Sequence, residues 1–276
     1  MAKRKRRTTA EGIKAKIAAG LGEGRLAEYK PWLRIQDVPS RGLVTRIKGW
    51  TTSRVHHLLS LLELRCFYVL DWLPQVIDIR EQYPLDLDET LEIAEACRIR
   101  HPIDNVTKHP IVFTTDFLVT INSNGLETDQ ARTVKYEKDL CGRRALEKLE
   151  IERRYWKRRN IDWKIITEKV VSKDLARNVE WLHQYLRLED FCALPEEVVS
   201  SSISMLTEAV SRQKRPLRDI TIEIDDALGL LPGTGLALAR HLIATRRWRV
   251  DMTQLIIPSR PLLIVAQPGV ALGGES

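Results

Sequence analysis

The sequence predicts an α/β protein whose core holds a mixed sheet, followed by a mainly helical C-terminal part. Three observations carry that expectation. Runs of β-branched and aromatic residues recur between residues 76 and 167 and stop there. Segments with a 3.6-residue apolar period lie on either side of those runs. Beyond residue 174 only helical patterns and two short apolar pieces remain. At 276 residues, 43% hydrophobic and 29% charged, the chain has apolar material for two cores, which excludes a disordered or low-complexity protein.

Taken in order, residues 1–9 form a basic tail. Thr8 or Thr9 then caps a short helix carrying Ile13, Ile17 and Leu21, with Glu11 as the acidic partner of a capping box. Pro31 and Pro39 break the next stretch into loops. A long helix is expected from Thr52-Ser53, because Val55, Leu58, Leu59, Leu62, Cys66, Phe67 and Leu70 form one helical stripe. Val76–Ile79 reads as a short strand and Val112–Ile121 as a core strand. Asn122-Ser-Asn-Gly125 is a hairpin turn, and Arg132–Tyr136 returns. A helix over Arg143–Arg159 and a strand over Trp163–Thr167 complete the core in the order α, β, β, β, α, β.

In the C-terminal part, Leu175–Tyr185 and Glu196–Arg212 read as helices, the second entered at Pro195. Asp219–Leu230, a Leu231-Pro-Gly-Thr-Gly235 turn and Leu236–Thr245 have a helix–turn–helix pattern. Leu255–Ile257 and Leu262–Val265 are candidates for a small β-wing, with a plain helical bundle as the alternative. The expected divisions are a basic segment over 1–27, a core over 28–170, a C-terminal domain over 171–267 and a frayed Gly-rich tail over 268–276.

Lys plus Arg number 44 against 37 Asp plus Glu, a net charge of +7. That surplus suits a nucleic-acid partner, although many basic enzymes never touch DNA. Cys66, Cys97, Cys141 and Cys192 lie far apart without zinc-ligand spacing and read as reduced structural thiols. No stretch approaches the ~18 apolar residues of a membrane span, and Met1–Arg7 is not followed by a signal-length apolar run. A soluble, intracellular protein of the cytoplasm, without a membrane partner, is expected.

Several charged residues stand in apolar company. Glu63 sits inside the helical stripe, so its carboxylate either snorkels from the edge or points inward, where it needs a cation or a proton. Asp116 interrupts the core strand Phe113–Val119, and Lys135 lies on the returning strand, so a hairpin can bring them to one end of the sheet. Carboxylates beside a lysine can hold a divalent metal and a water nucleophile, and oxygen ligands suit magnesium or manganese. Glu152 shares a helix face with Leu149 and Trp156. It reads either as an ion pair with one of Arg153–Arg159 or as support for the lysine or metal. That helix carries eight Lys/Arg against three Glu, and Arg153, Arg154 and Lys157 are candidates for a DNA backbone. Arg246 and Arg247, at the end of the second helix of the helix–turn–helix pattern, suit DNA or protein contact alike.

At these residues the chain resembles the TnsA family, the endonuclease subunits of heteromeric transposases. The resemblance runs through Pro31–Pro39, Gly49–Leu64, Asp78–Pro84, Thr115–Val119, Val134-Lys135 and Leu146–Trp156, and covers residues 28–183. It implies a restriction-endonuclease-like core followed by a winged-helix-like domain. It further implies Glu63, Asp116 and Lys135 as the catalytic residues. Two Mg2+ ions, for which Mn2+ can substitute, would be held by Asp116, Glu63 and the main-chain carbonyl of Val134, with Lys135 activating water. An acidic residue is usual two positions before the lysine in related nucleases, and here it is Thr133, so Thr133 and Glu152 take supporting roles.

The resemblance also implies double-stranded transposon ends as substrate, cut at their 5′ ends. A TnsB-type transposase would act on the 3′ ends, a TnsC-type ATP-binding regulator would be a further partner, and the active protein would associate with the bacterial nucleoid. The rival readings are a stand-alone restriction or repair nuclease and a non-catalytic DNA-binding scaffold subunit.

Overall fold

The computed structural model describes residues 7–38, 44–212 and 214–266. The chain divides into two compact units, Met1–Val171 and Ser172–Ser276. Most of the basic tail and all of the 268–276 tail lie outside the described residues.

The first unit opens with helix α1, Ala10–Ala18, capped by the Thr9 side chain, which accepts from the Gly12 N–H at 3.0 Å. With Thr9 as the cap, Glu11 stands one position too early to complete a capping box, contrary to the expectation. The segment after α1 is tied to the unit, because the Lys16 ammonium reaches the Trp32 carbonyl at 3.0 Å and the Leu26 N–H donates to Asp78 at 3.1 Å.

Strands β1, Thr45–Lys48, and β2, Val55–Leu58, form an antiparallel hairpin. This corrects the long helix expected from Thr52. Val55–Leu58 alternates exposed and buried positions, the period of a strand, and its apolar residues match a helical stripe only by coincidence of spacing. Helix α2 runs from Leu61 to Trp72 and starts where Ser60 and Glu63 make a capping box. The Ser60 hydroxyl accepts from the Glu63 N–H at 3.1 Å and donates back to the Glu63 carboxylate at 2.9 Å.

Strand β3 runs from Val76 to Pro84, longer than the short strand expected. Helix α3, Leu87–Ala96, was absent from the expected order, although Asp86 caps it by accepting from the Glu89 N–H at 2.9 Å. Strands β4, Thr114–Ser123, and β5, Leu126–Val134, meet at a turn in which Asn124 and Gly125 take φ of 54° and 86°. Two left-handed residues in succession match the twist of a tight hairpin. Helix α4, Arg143–Arg158, then crosses over to strand β6, Asp162–Ile166, which lies parallel to β5.

The sheet has the order β3-β4-β5-β6, with antiparallel pairs except the last, and is therefore mixed. Its core packs Leu118 and Ala131 of the sheet against Ile93 and Ala94 of α3 and Ile151, Tyr155 and Trp156 of α4. At roughly 25 cal/mol per Å² of apolar surface, burying such residues is the main term holding α3 and α4 to the sheet.

The second unit is mainly helical: α5, Lys173–Leu182; α6, Glu196–Arg212; α7, Leu217–Ala227; and α8, Thr234–Ala244. Strands β7, Trp248–Arg249, and β8, Val265–Ala266, pair antiparallel as a small ribbon. The ribbon differs from the expected wing, because Leu255–Ile257 is not a strand. That stretch is held instead by buried Asn178 of α5, whose amide donates to the carbonyls of Met252 and Gln254 and accepts from the Ile256 N–H. A backbone whose polar groups are satisfied by a side chain has no need of a strand partner.

Candidate active site

The site forms where β4 and β5 separate. Their ladder begins at Phe117 opposite Arg132, so Asp116 lies just beyond the last paired residues. Its Oδ2 accepts the Val134 N–H at 2.7 Å and the Lys135 ammonium at 2.8 Å. Lys135 also donates to the Val134 carbonyl at 3.0 Å. Among the described residues, Oδ1 of Asp116 takes no hydrogen bond.

Glu63 enters from the first turn of α2 and is only 6% exposed, so it points inward rather than snorkelling. Its Oε2 accepts from the Leu59 N–H at 3.0 Å and from the Gln82 amide at 3.4 Å. Burial, then the charge of Asp116, push its carboxyl above the usual carboxylate range, against the pull of Leu59, Ser60 and Lys135. For Lys135, burial works to lower the pKa, and the Asp116 carboxylate overcomes it, so the ammonium is held above its ordinary value.

Behind these residues lies Glu152 of α4, buried at 4% exposure. Its Oε1 accepts from the hydroxyls of Thr115 at 2.6 Å and Thr133 at 2.5 Å. Those hydroxyls in turn accept from the indoles of Trp156 at 2.7 Å and Trp163 at 3.0 Å. Glu152 makes no ion pair with the following arginines, which removes that reading of it. Burial raises its carboxyl to about 7, with the two threonines pulling the other way. Thr133 faces Glu152, not Asp116, and so ties the helix to β5, which ends at Val134, one residue before Lys135 and not beyond it as expected.

The donor set available for a metal is two carboxylates and a main-chain carbonyl, all hard oxygen ligands of the type that divalent magnesium or manganese takes. The fit rests on charge. Two carboxylates are drawn together in a buried place with one lysine as the cation in hydrogen-bond contact with Asp116.

The basic candidates fall elsewhere. Arg153 and Arg154 both pair with Glu150 on the exposed side of α4, and together with Lys157 and Arg158 they line an open groove against Ile93 and Ala96. Arg246 and Arg247 follow the end of α8, half-buried. No residue of α8 itself is exposed, and its N-terminus is taken by Asp225, which accepts from the N–H groups of Gly233 at 2.8 Å and Gly235 at 2.7 Å. A helix start whose amides already hold a carboxylate sets a negative charge where a phosphate would have to bind.

Two family models match the chain: the TnsA-like endonuclease N-terminal domain over residues 73–168 and the TnsA endonuclease C-terminal domain over residues 171–252. The chain is also similar to the Escherichia coli transposon Tn7 transposition protein TnsA, with 43% identity over 232 residues, 84% of this chain and 82% of the relative. The chain belongs to the TnsA family. As a TnsA endonuclease it is a DNA-cleaving hydrolase with a nuclease role in transposition. Asp116, Lys135 and Glu152 lie inside the segment matched by the TnsA-like N-terminal model. Glu63 lies before it and is brought to them by the fold.

Sequence reasoning missed Ser60, Thr115, Gln82 and Trp163. The Ser60-Leu-Leu-Glu63 spacing is a capping-box signal that marks the start of α2. Nothing in the sequence pattern marks Gln82, whose backbone takes φ of 49° inside β3. A left-handed non-glycine residue costs on the order of 1–3 kcal/mol and persists only where surrounding contacts hold it.

Proposed function

We propose that this chain is the metal-dependent endonuclease subunit of a cut-and-paste transposase and hydrolyses phosphodiester bonds at the 5′ ends of the transposon. The observation that carries this reading is the meeting of two buried carboxylates from different elements, Glu63 and Asp116, near enough for Asp116 to raise the Glu63 carboxyl, with the Lys135 ammonium bonded to Asp116. Asp116, Glu63 and the Val134 carbonyl are the ligands in this reading, for two magnesium ions or for manganese in their place. Ions so held would supply an activated water and neutralise charge on the attacked phosphate and the leaving oxygen. Lys135, 2.8 Å from Asp116, holds a positive charge and N–H donors beside these ligands, and would serve to orient a water or to stabilise charge developing on the phosphate. Glu152, Thr115 and Thr133 keep the ends of β4 and β5 in register behind the reacting atoms.

In this reading the substrate is double-stranded DNA at transposon ends. A TnsB-type transposase handles the 3′ ends and a TnsC-type ATP-binding regulator is a further partner. None of the described helices is long and apolar enough to cross a membrane. A DNA substrate supports a cytoplasmic location for this reading, on the nucleoid when active. The test is strand cleavage by the full chain with its partner transposase and regulator on transposon-end DNA. Asp116→Ala is expected to lower 5′ cleavage on the order of 10³-fold or more, with 3′ cleavage retained. A variant that cuts the 5′ ends at the unsubstituted rate would place the chemistry elsewhere.

A further inference from the structure

Strand β3 carries a left-handed residue beside the site. Glu81 pairs with Phe117 and Tyr83 with Thr115, so the register runs unbroken past Gln82, which stands opposite Asp116. The left-handed backbone of Gln82, φ 49°, has two consequences. Its carbonyl accepts the Trp32 N–H at 3.3 Å. Its side chain, in a residue only 2% exposed, bridges the two elements of the site. Nε2 donates to Glu63 Oε2 at 3.4 Å, while Oε1 accepts from the Thr114 hydroxyl at 3.1 Å, two residues before Asp116.

Glycine would suit this backbone better than any L side chain. What glutamine adds over glycine is therefore its carboxamide: a donor for Glu63, an acceptor for Thr114, and no third negative charge beside two carboxylates. We infer that Gln82 is a positioning residue of the nuclease centre, fixing the Glu63 carboxylate relative to the Asp116 strand and so setting how tightly the pair takes a divalent cation. This inference rests on the metal reading above. Groups that orient metal ligands contribute about 10–100-fold to metal affinity without touching the metal.

The test uses the full chain without DNA, titrated with manganese and followed by electron paramagnetic resonance of the free ion, alongside thermal unfolding. Gln82→Gly relaxes the backbone and Gln82→Met keeps the packing volume, and both remove the bridge. Manganese binding is expected to weaken roughly tenfold in either variant, with the Gln82→Gly protein at least as heat-stable as the unsubstituted chain. The manganese concentration for half-maximal 5′ cleavage rises by the same factor, while the rate at saturating metal stays close to its original value. A folded Gln82 variant that binds manganese as tightly as the unsubstituted chain, while Asp116→Ala does not bind it, overturns this inference alone. No manganese on the unsubstituted chain overturns the metal reading and this inference with it.

Discussion

The two units of the chain keep their charge differently. Residues 1–171 carry 32 Lys/Arg against 24 Asp/Glu, a net +8, whereas residues 172–276 carry 12 against 13, a net −1. The whole basic surplus belongs to the unit with the nuclease site. Buried carboxylates follow the same division among the described residues, with Glu63, Asp71, Asp78, Glu81, Asp116 and Glu152 in the first unit and Asp225 in the second. Asp225 caps a helix and is satisfied by backbone amides. The second unit therefore uses its buried charge to hold a turn, whereas the first divides it between carboxylates matched by partners, Asp71, Asp78 and Glu81, and the candidate site of Glu63, Asp116 and Glu152.

Within the first unit a sharper contrast separates structure from function. Glu81 is fully buried, yet it is held by the Arg54 guanidinium, the His56 ring at 2.9 Å and the His57 N–H at 3.0 Å. Burial alone would raise its carboxyl, but His56 and Arg54 outweigh that and keep it well below the usual carboxylate range. One residue along β3, Gln82 leads to Glu63, whose carboxyl is raised. A carboxylate matched by cations is a strut, and one left short of positive charge is poised for a cation from solution.

Breaking the matched network should have the largest effect on stability. Glu81→Ala leaves Arg54 buried without its partner and is expected to cost about 3–5 kcal/mol in urea unfolding. A loss below ~1 kcal/mol would mean that water replaces the carboxylate freely and that the contrast with Glu63 is not one of compensation.

The pH dependence of stability sharpens the same comparison. The Glu152 carboxyl is raised to about 7 in the fold, above its unfolded value near ~4.3. Its stabilising contribution is therefore complete below the unfolded value and is lost as pH rises through about 7. In chemical unfolding of the metal-free protein Glu152 should account for a loss of roughly 3 kcal/mol between about pH 4.5 and 8, and the raised Glu63 carboxyl adds a loss of the same sign. Glu152→Gln, which keeps an acceptor for Thr115 and Thr133, should remove the Glu152 share and leave the Glu63 share in place. An unchanged slope would assign it to other groups. Smallest is Asp225→Ala in the second unit, expected to cost about 1–2 kcal/mol through the lost cap of α8 while leaving metal binding by the first unit unchanged.

Much of the fold was legible because the relevant signals are local. The hairpin turn at Asn122–Gly125, the amphipathic helix at 143–158 and the capped helix after Thr9 each follow from residues within a few positions of one another. The errors came where one pattern imitated another. Val55–Leu58 fits a helical stripe by spacing, and only its pairing with Thr45–Lys48 makes it a strand. The strand partner of the C-terminal ribbon was misplaced because Asn178, more than 70 residues away, satisfies the loop expected to form it. The site shows the same limit. Glu63, Asp116 and Lys135 stood out as charges in apolar surroundings, but Gln82 is one polar residue among several in Arg80–Tyr83.

By itself the sequence determined the residue inventory, the division of net charge between the two halves, and the anomalous placement of Glu63 and Asp116. These are properties of composition and short-range period, and no folding is needed to see them. The tertiary structure alone decided that Glu63 points inward, that Glu152 binds threonines instead of arginines, and that the Gln82 side chain reaches Glu63. The Glu152 and Gln82 contacts join residues 19 or more positions apart, the inward turn of Glu63 depends on what packs over α2, and burial gives each its energetic weight. A local pattern carries neither quantity.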